Sequence, residues 1–178
     1  GERVRYCSRI CCMNSIKNAK LLKEKNPETK VYVIHKGVQT YGTMYEWYYR
    51  KAREAGVRFI RVEDSIPTVS SLEKEDGRLS VGFYQPGIGR DMKIFADMIV
   101  LSTPLIARSD AKELSKMLKV PLGQDGFFFE AHVKLRPVDF ATDGIYMCGS
   151  CRAPADVNEC IYQALAAASR AAIPMAKG

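Results

Sequence analysis

The chain has 178 residues, 47% of them hydrophobic, which is enough for one large domain or two small ones with a packed core. Its net charge of +7 comes from scattered Lys and Arg. The sequence contains no cluster of basic residues with exposed aromatic residues, so it does not predict a nucleic-acid-binding surface. No apolar stretch is long enough to span a bilayer, and no charged segment precedes an apolar run at the N-terminus. We therefore expect a cytoplasmic protein without a transmembrane segment.

The first third of the chain alternates β-prone and helical patterns. A short strand ending at Tyr6, a helix over residues 13–25 and a strand over residues 30–35 predict a βαβ unit. A second helix over residues 44–55 and a strand over residues 57–62 continue the pattern. These elements predict a parallel sheet.

The middle of the chain changes to consecutive strands. Residues 68–72 and 79–84 read as strands joined by a turn at residues 75–77, and residues 92–95 form a third short strand. Together they predict an antiparallel meander. Residues 96–101 are a near-continuous apolar run, which predicts a return to a buried, central parallel strand.

The last third carries two predicted helices. Residues 109–110 would cap a helix over residues 111–118, and a turn over residues 123–126 follows. Residues 145–148 read as a strand that Gly149 and Ser150 end, and Asp156 is a good N-cap for the final helix. The apolar stripe expected to face the core along that helix consists of Val157, Ile161, Leu165, Ala168 and Ala172.

A strand, a glycine turn and a helix start are the parts from which α/β folds build phosphate and cofactor sites. Backbone N–H groups point outward at the helix start, and the helix dipole favours negative charge there. The pattern alone is weak evidence, because many such units bind nothing.

Six cysteines lie in two groups, one at each end of the chain. Cys7, Cys11 and Cys12 occupy the turn where a dinucleotide-binding unit would carry G-x-G-x-x-G. We interpret this region as a nucleotide-binding fold without that site. Three closely spaced thiols at a helix start suit iron–sulfur ligation, and the helix end would lower their pKa. The alternative is a set of buried or disulfide-paired thiols.

The second group contains the C-x-x-C sequence of Cys148 and Cys151, followed by Cys160. One interpretation is a redox dithiol. The other, which we predict, makes Cys148 a small core residue at a strand end, Cys151 a loop thiol and Cys160 a core residue of the helix. The two histidines, His35 and His132, have no convincing nucleophile or acid partner in sequence, so no catalytic residue is predicted.

Several segments resemble a known family. YCSRICC, YYRKAREAGVRFIR and DGFFFEAHVKLRPVDFATDGIY, with the final Ala-rich helix, are similar to the A subunit of CoB–CoM heterodisulfide reductases. These are iron–sulfur flavoproteins of the thioredoxin-reductase-like group, which have two dinucleotide-binding domains. The resemblance covers nearly the whole chain, and its C-x3-C-C sequence is a specific motif.

The resemblance implies a fold and two cofactors. The fold would be Rossmann-like α/β, with a nucleotide-binding-like, NAD-type domain over residues 1–105 and the C-terminal part of an FAD-binding domain over residues 106–178. A 4Fe–4S cluster would be held by Cys7, Cys11 and Cys12, with a fourth cysteine upstream of this sequence. The positions that match the FAD site are Gly149, Ser150, Pro154, Asp156, Val157 and Asn158. The flavin motif of the first half of such proteins is absent from this sequence.

The implied function is electron transfer between FAD and iron–sulfur clusters, with flavin-based electron bifurcation in the full complex. Its partners would be other heterodisulfide reductase subunits or electron-carrier proteins. The alternative is a non-catalytic docking or scaffold domain that keeps the fold without cofactors. A third hypothesis, an NAD(P)-dependent reductase, is opposed by the missing glycines near Cys7.

Overall fold

The structure, a computed structural model, describes residues 4–63, 66–71 and 78–176. It is an α/β protein with one parallel and one antiparallel sheet among those residues. The chain divides into two compact units. One contains Cys12–Thr103, and the other combines Gly1–Cys11 with Pro104–Gly178. The assignment of residues 1–105 and 106–178 to NAD-type and FAD-binding domains stays a prediction.

The parallel sheet of the Cys12–Thr103 unit is built on one βαβ crossover. Strand β1 (Tyr32–His35) is followed by helix α2 (Tyr45–Glu54) and strand β2 (Arg58–Arg61). The strands pair in parallel, with Val33 opposite Phe59, and the N–H of Val62 donates to the carbonyl of His35 at 2.8 Å. The predicted parallel pair at these two strands is therefore confirmed.

Helix α1 (Cys11–Lys25) precedes β1, and its buried residues pack against α2. Ile16 is 1% exposed and Ala52 is fully buried, and both belong to one core cluster. The helix confirms the prediction for residues 13–25. The strand predicted to end at Tyr6 is wrong, since residues 4–6 lie outside any strand. A three-residue β-prone run is too short to hold strand conformation without a paired neighbour.

The predicted meander is confirmed. Strands β3 (Thr68–Ser71), β4 (Leu79–Gln85) and β5 (Arg90–Ala96) form an antiparallel sheet in that order. Val81 lies opposite Val69 on one side and Ile94 on the other. The turn predicted at residues 75–77 lies outside the described residues. Gly89, at φ 66°, lets the chain reverse between β4 and β5.

The central strand predicted over residues 96–101 is wrong. Ala96 ends β5, and Met98, Val100 and Leu101 are each 76% exposed. An apolar run becomes a central strand only when strands pair with it on both sides. In the described part of this unit, the parallel sheet has only β1 and β2.

The second unit has helix α3 (Ala111–Leu118) and helix α4 (Val157–Ala176), as predicted. A cluster of Val120, Phe140 and Met147 forms its core. The strand predicted over residues 145–148 is wrong, because that region makes only an isolated bridge between Asp139 and Tyr146. The pairing is too short to be a strand, although the N–H of Met147 donates to the carbonyl of residue 138 at 2.9 Å.

The expected core face of α4 is also wrong. Val157, Ile161 and Leu165 are 75%, 52% and 62% exposed, and Ala168 and Ala172 are exposed as well. The helix itself was predicted correctly. The spacing of apolar residues identifies an apolar face of the helix, but it does not show which part of the protein packs against that face. Among the described residues, no helix is long and apolar enough to cross a membrane.

Candidate functional site

The site is built around the turn that leads into α4. Met147 is buried at 3% exposure, Cys148 is exposed, and a single 3₁₀ turn covers Gly149–Cys151. Gly149 has φ 71°, a left-handed conformation that residues with a Cβ adopt only with strain. Its N–H donates to Oε1 of Gln163 at 2.9 Å, which attaches the turn to the second turn of α4.

A capping box fixes the start of α4. The N–H of Glu159 donates to Oδ1 of Asp156 at 2.8 Å, and the N–H of Asp156 donates to Oε2 of Glu159 at 3.0 Å. This reciprocal pair is the expected arrangement of an acidic N-cap with Glu three residues later. The prediction of Asp156 as the helix cap is confirmed. Two of the outward N–H groups at this helix start are thus already used.

The six predicted flavin positions lie together along this turn and helix start. Ser150, Val157 and Asn158 are exposed, whereas Pro154 is buried. Arg152, between them, donates to Oε1 of Glu130 at 2.8 Å. The hydrogen bond from Arg152 lowers the pKa of the 9%-exposed Glu130, against the effect of burial. The loop that carries these exposed residues is therefore held in place by the Arg152–Glu130 ion pair.

Cys7 is exposed, and the residues on either side of it, Tyr6 and Ser8, are held by hydrogen bonds. The hydroxyl of Tyr6 donates to the carbonyl of Leu105 at 3.0 Å, and the N–H of Leu105 donates to Oγ of the buried Ser8 at 3.0 Å. The N–H of Arg9 donates to Sγ of Cys7 at 3.3 Å, with Arg9 at φ 58°. A backbone N–H directed at a sulfur is the kind of contact that tunes iron–sulfur clusters.

The two regions singled out in the sequence meet inside one unit. The guanidinium of Arg9, between Cys7 and Cys11, pairs with Glu159 in the first turn of α4. Residues 7–11 and the candidate flavin surface are therefore neighbours within this unit. The sequence held no signal for this contact, because Arg9 and Glu159 are 150 residues apart.

The other two cysteines of the motif lie at the start of α1. Cys11 and Cys12 are half-buried, and Sγ of Cys12 lies 3.8 Å from the carbonyl of Gly37. Within residues 4–63, 66–71 and 78–176, no three His, Cys, Asp or Glu side chains are placed to hold a metal ion. The donor types suit an iron–sulfur cluster, but the described side chains are not arranged as a set of ligands.

Sequence reasoning missed a cleft at the carboxyl ends of β1 and β2. It measures about 360 Å³ and is lined by His35, Lys36, Gly37, Val38, Thr40, Glu46, Tyr49 and Arg61. Nδ1 of His35 is buried without a hydrogen-bond partner in the described part of the chain, and burial lowers the pKa of this histidine, with Arg61 adding to the effect. Polar residues directly after two parallel strands were the signal that could have found the cleft.

A second cleft, of about 290 Å³, lies beside the buried Asp139. The carboxylate of Asp139 is 2% exposed and accepts Nε and Nη2 of Arg170 at 3.1 and 2.9 Å. Arg136 approaches the same carboxylate at 3.5 Å. The hydrogen bond from Arg170 lowers the pKa of Asp139. The charges on this wall of the cleft are therefore already paired with one another.

A βαβ crossover and a meander in one unit, with a capped helix start and exposed cysteines in the other, define this α/β protein. No protein-family model matches the chain. The chain is 43% identical over 174 residues to the iron-sulfur A subunit of the CoB–CoM heterodisulfide reductase of Methanocaldococcus jannaschii. It is 41% identical over 174 residues to the A subunit of the H(2)/formate:CoB-CoM heterodisulfide,ferredoxin reductase of Methanococcus maripaludis.

Each of these matches covers 97% of this chain and 26% of the relative. The A subunit of the Ferredoxin:CoB-CoM heterodisulfide reductase of Methanosarcina acetivorans is 38% identical over 167 residues, which is 94% of this chain and 20% of that protein. The resemblance read from the sequence is therefore confirmed. The chain is related to the A subunits of heterodisulfide reductases, and it spans about a quarter of the length of these relatives.

Proposed function

We propose that this chain is part of an electron-transfer oxidoreductase subunit of the heterodisulfide reductase A type. The Arg9–Glu159 contact carries the proposal, because it makes residues 7–11, with two of the three motif cysteines, neighbours of the candidate flavin surface in one unit. A relative named as an iron–sulfur subunit of such a reductase supports it. The flavin would pass electrons to the clusters, with bifurcation in the full complex, and the partners would be other subunits or electron-carrier proteins in the cytoplasm.

The proposal includes the finer fold assignment. Residues 1–105 would be a Rossmann-like, NAD-type domain and residues 106–178 part of an FAD-binding domain. The parallel β1–α2–β2 crossover supports the first part. The glycine turn and capped start of α4 support the second.

For the 4Fe–4S cluster, Cys7, Cys11 and Cys12 would be three ligands. Thiolates are the usual donors to such clusters. When bound, the cluster supplies one-electron transfer. The chain's own contribution is the N–H of Arg9, which stabilises negative charge on the sulfur of Cys7.

The cluster test is reconstitution, without oxygen, of a protein extended upstream of this sequence to include the fourth cysteine, followed by iron and sulfide analysis. We expect Cys11→Ser and Cys12→Ser each to lower the iron content. Cys160→Ser is the matched control, since Cys160 is an equally half-buried free thiol outside the motif. Unchanged iron in both motif variants would remove these residues from the set of ligands.

For FAD, the exposed Ser150, Val157 and Asn158 would provide the contact surface, and Gly149, Pro154 and Asp156 would position it. A Cβ built on Gly149 would lie 3.5 Å from Sγ of Cys160, an ordinary contact. The chain itself therefore tolerates a Cβ at this position, and we propose that the flavin, when bound, excludes a larger side chain.

In the full-length protein, Gly149→Val should abolish FAD retention, measured by flavin absorbance after purification. The control is Gly144→Val, because Gly144 also has a positive φ, of 79°, and has open space around it. Both variants carry the same kind of backbone strain, so flavin loss in both would point to misfolding. Stoichiometric FAD in the Gly149 variant would refute this assignment.

A scaffold domain without cofactors is the second candidate. Two observations favour it: the N–H of Gly149 is already bound to Gln163, and the described cysteines are not arranged to hold a metal ion. An ultraviolet–visible spectrum of the anaerobically purified protein separates the two functions. Flavin bands or an iron–sulfur shoulder support the oxidoreductase, and a spectrum with only protein absorbance supports the scaffold.

A further inference from the structure

Two thiols lie at the two ends of one tight turn. Cys148 immediately precedes the 3₁₀ turn Gly149–Cys151, and Cys151 is its last residue. Cys148 has an extended backbone, at φ −154° and ψ 161°, and the turn begins at the next residue. Sγ of Cys151 donates to the carbonyl of Cys148 at 3.0 Å, so the Cys151 side chain folds back toward Cys148.

The backbone distance suits a disulfide. Residues at the two ends of a tight four-residue turn have Cα atoms less than about 7 Å apart. Natural disulfides join Cα atoms about 4.4–6.8 Å apart. Gly149 supplies the positive φ, of 71°, that folds the turn tightly. The backbone spacing is therefore compatible with a disulfide between these cysteines.

Neither thiol has a packing role. The prediction that Cys148 is a core residue is wrong, because the core position belongs to Met147, at 3% exposure, and Cys148 is exposed. Cys151 is exposed as well, as predicted for a loop thiol. A buried cysteine is simply a small apolar residue, but two exposed thiols on one turn are open to solution chemistry.

We propose that Cys148 and Cys151 form a thiol–disulfide redox pair that reduces disulfide-containing molecules. The thiolate of Cys148 attacks a disulfide, forms a mixed disulfide and expels one thiolate. Cys151, losing its proton, then attacks the sulfur of Cys148 and expels the second thiolate. The two cysteines lose two electrons and two protons in total, and the substrate disulfide becomes two thiols.

The turn gives the two sulfurs different roles. The sulfur of Cys151 is partly buried although the residue is exposed, and this burial raises its pKa. Its S–H donates to the carbonyl of Cys148, so we assign the first attack to the exposed Cys148. Neither role requires a flavin or a cluster, so the pair goes beyond the proposed function and can be tested apart from it.

The test is thiol trapping after equilibration of the anaerobically purified protein in glutathione buffers from fully reduced to fully oxidised. Free thiols are then alkylated, and the protein is digested with trypsin. Cleavage after Lys134 and Arg152 gives a peptide that holds Cys148 and Cys151 and no other cysteine, while Cys160 falls on the next peptide. We expect the first peptide to carry two alkyl groups in reducing buffer, to carry none and hold an internal disulfide in oxidising buffer, and to return to the dialkylated form after dithiothreitol treatment.

Cys160 is the internal control, because its sulfur lies beside the turn at Gly149. It should remain alkylated throughout. Cys151→Ser should accumulate a mixed disulfide with glutathione at Cys148, and Cys148→Ser should not accumulate one at Cys151. The proposal is overturned if both cysteines stay alkylated in fully oxidised buffer, or if either pairs with Cys160. Flavin absorbance of the same samples reports separately on the proposed function.

Discussion

Replacing Asp156 by Ala removes one half of the capping box at the start of α4. The lost contact is the 2.8 Å hydrogen bond from the N–H of Glu159 to Oδ1 of Asp156. The N–H of Asp156 keeps its bond to Glu159 Oε2, so one of the two bonds survives. A lost N-cap costs about 0.5–2 kcal/mol, and one net hydrogen bond contributes about 1 kcal/mol, so we expect about 1 kcal/mol of destabilisation.

The assay is urea unfolding followed by far-ultraviolet circular dichroism, combined with hydrogen exchange of the Glu159 amide. Asp156→Ala should lower the unfolding midpoint and speed that exchange. Asp156→Ser should restore most of the stability, because a serine hydroxyl also accepts from the third residue of a helix. Glu159→Gln is a further control, since it keeps the box geometry and removes the charge that pairs with Arg9.

If the serine variant is as unstable as the alanine variant, the cap is not the source of the effect. If the alanine variant matches the wild type, the start of α4 is held by other contacts. The Gly149–Gln163 hydrogen bond would then be the first to test.

Three further predictions concern other sites in the chain. Gly149→Ala should destabilise by about 1–2 kcal/mol through its left-handed φ, and Gly144→Ala should do so by a similar amount, both measured by urea unfolding. The hydrogen bond from Arg170 lowers the pKa of Asp139, so this carboxyl stabilises the fold above about pH 4 and the contribution is lost as the pH falls further; Asp139→Asn should flatten the stability–pH curve there. Burial lowers the pKa of His35, so its imidazole should titrate below about 6.5 by NMR, and stability should fall as the pH drops through that range.

The sequence alone located the helices. The start of α4 follows from Asp156, with Glu159 three residues later, and the end of α2 from Gly56, which has φ 92°. Both helix ends are determined by local hydrogen bonding and backbone conformation, because N-caps and C-terminal glycines involve residues within one helical turn. The β1–β2 pair and the meander were also predictable, because each has a clear strand pattern and a partner nearby in sequence.

Strand partners and burial were decided by the tertiary structure. Residues 96–101 and 145–148 have strand-like sequences, but strands need hydrogen-bonded neighbours, and in the described structure these runs do not form the predicted strands. The apolar stripe of α4 was visible in sequence, yet Val157 is 75% exposed, because periodicity does not say what covers a stripe.

The candidate site divides in the same way. Its residue types came from sequence, since thiols at a helix start and a glycine turn before a helix are local patterns. Their neighbourhood came from the fold, through the ion pair of Arg9 with Glu159 across 150 residues. The exposure of Cys148 was likewise set by the chain geometry, which gave the core position to Met147. Helix caps, turns and residue types can be predicted from neighbouring residues, whereas contacts between distant segments depend on how the chain packs.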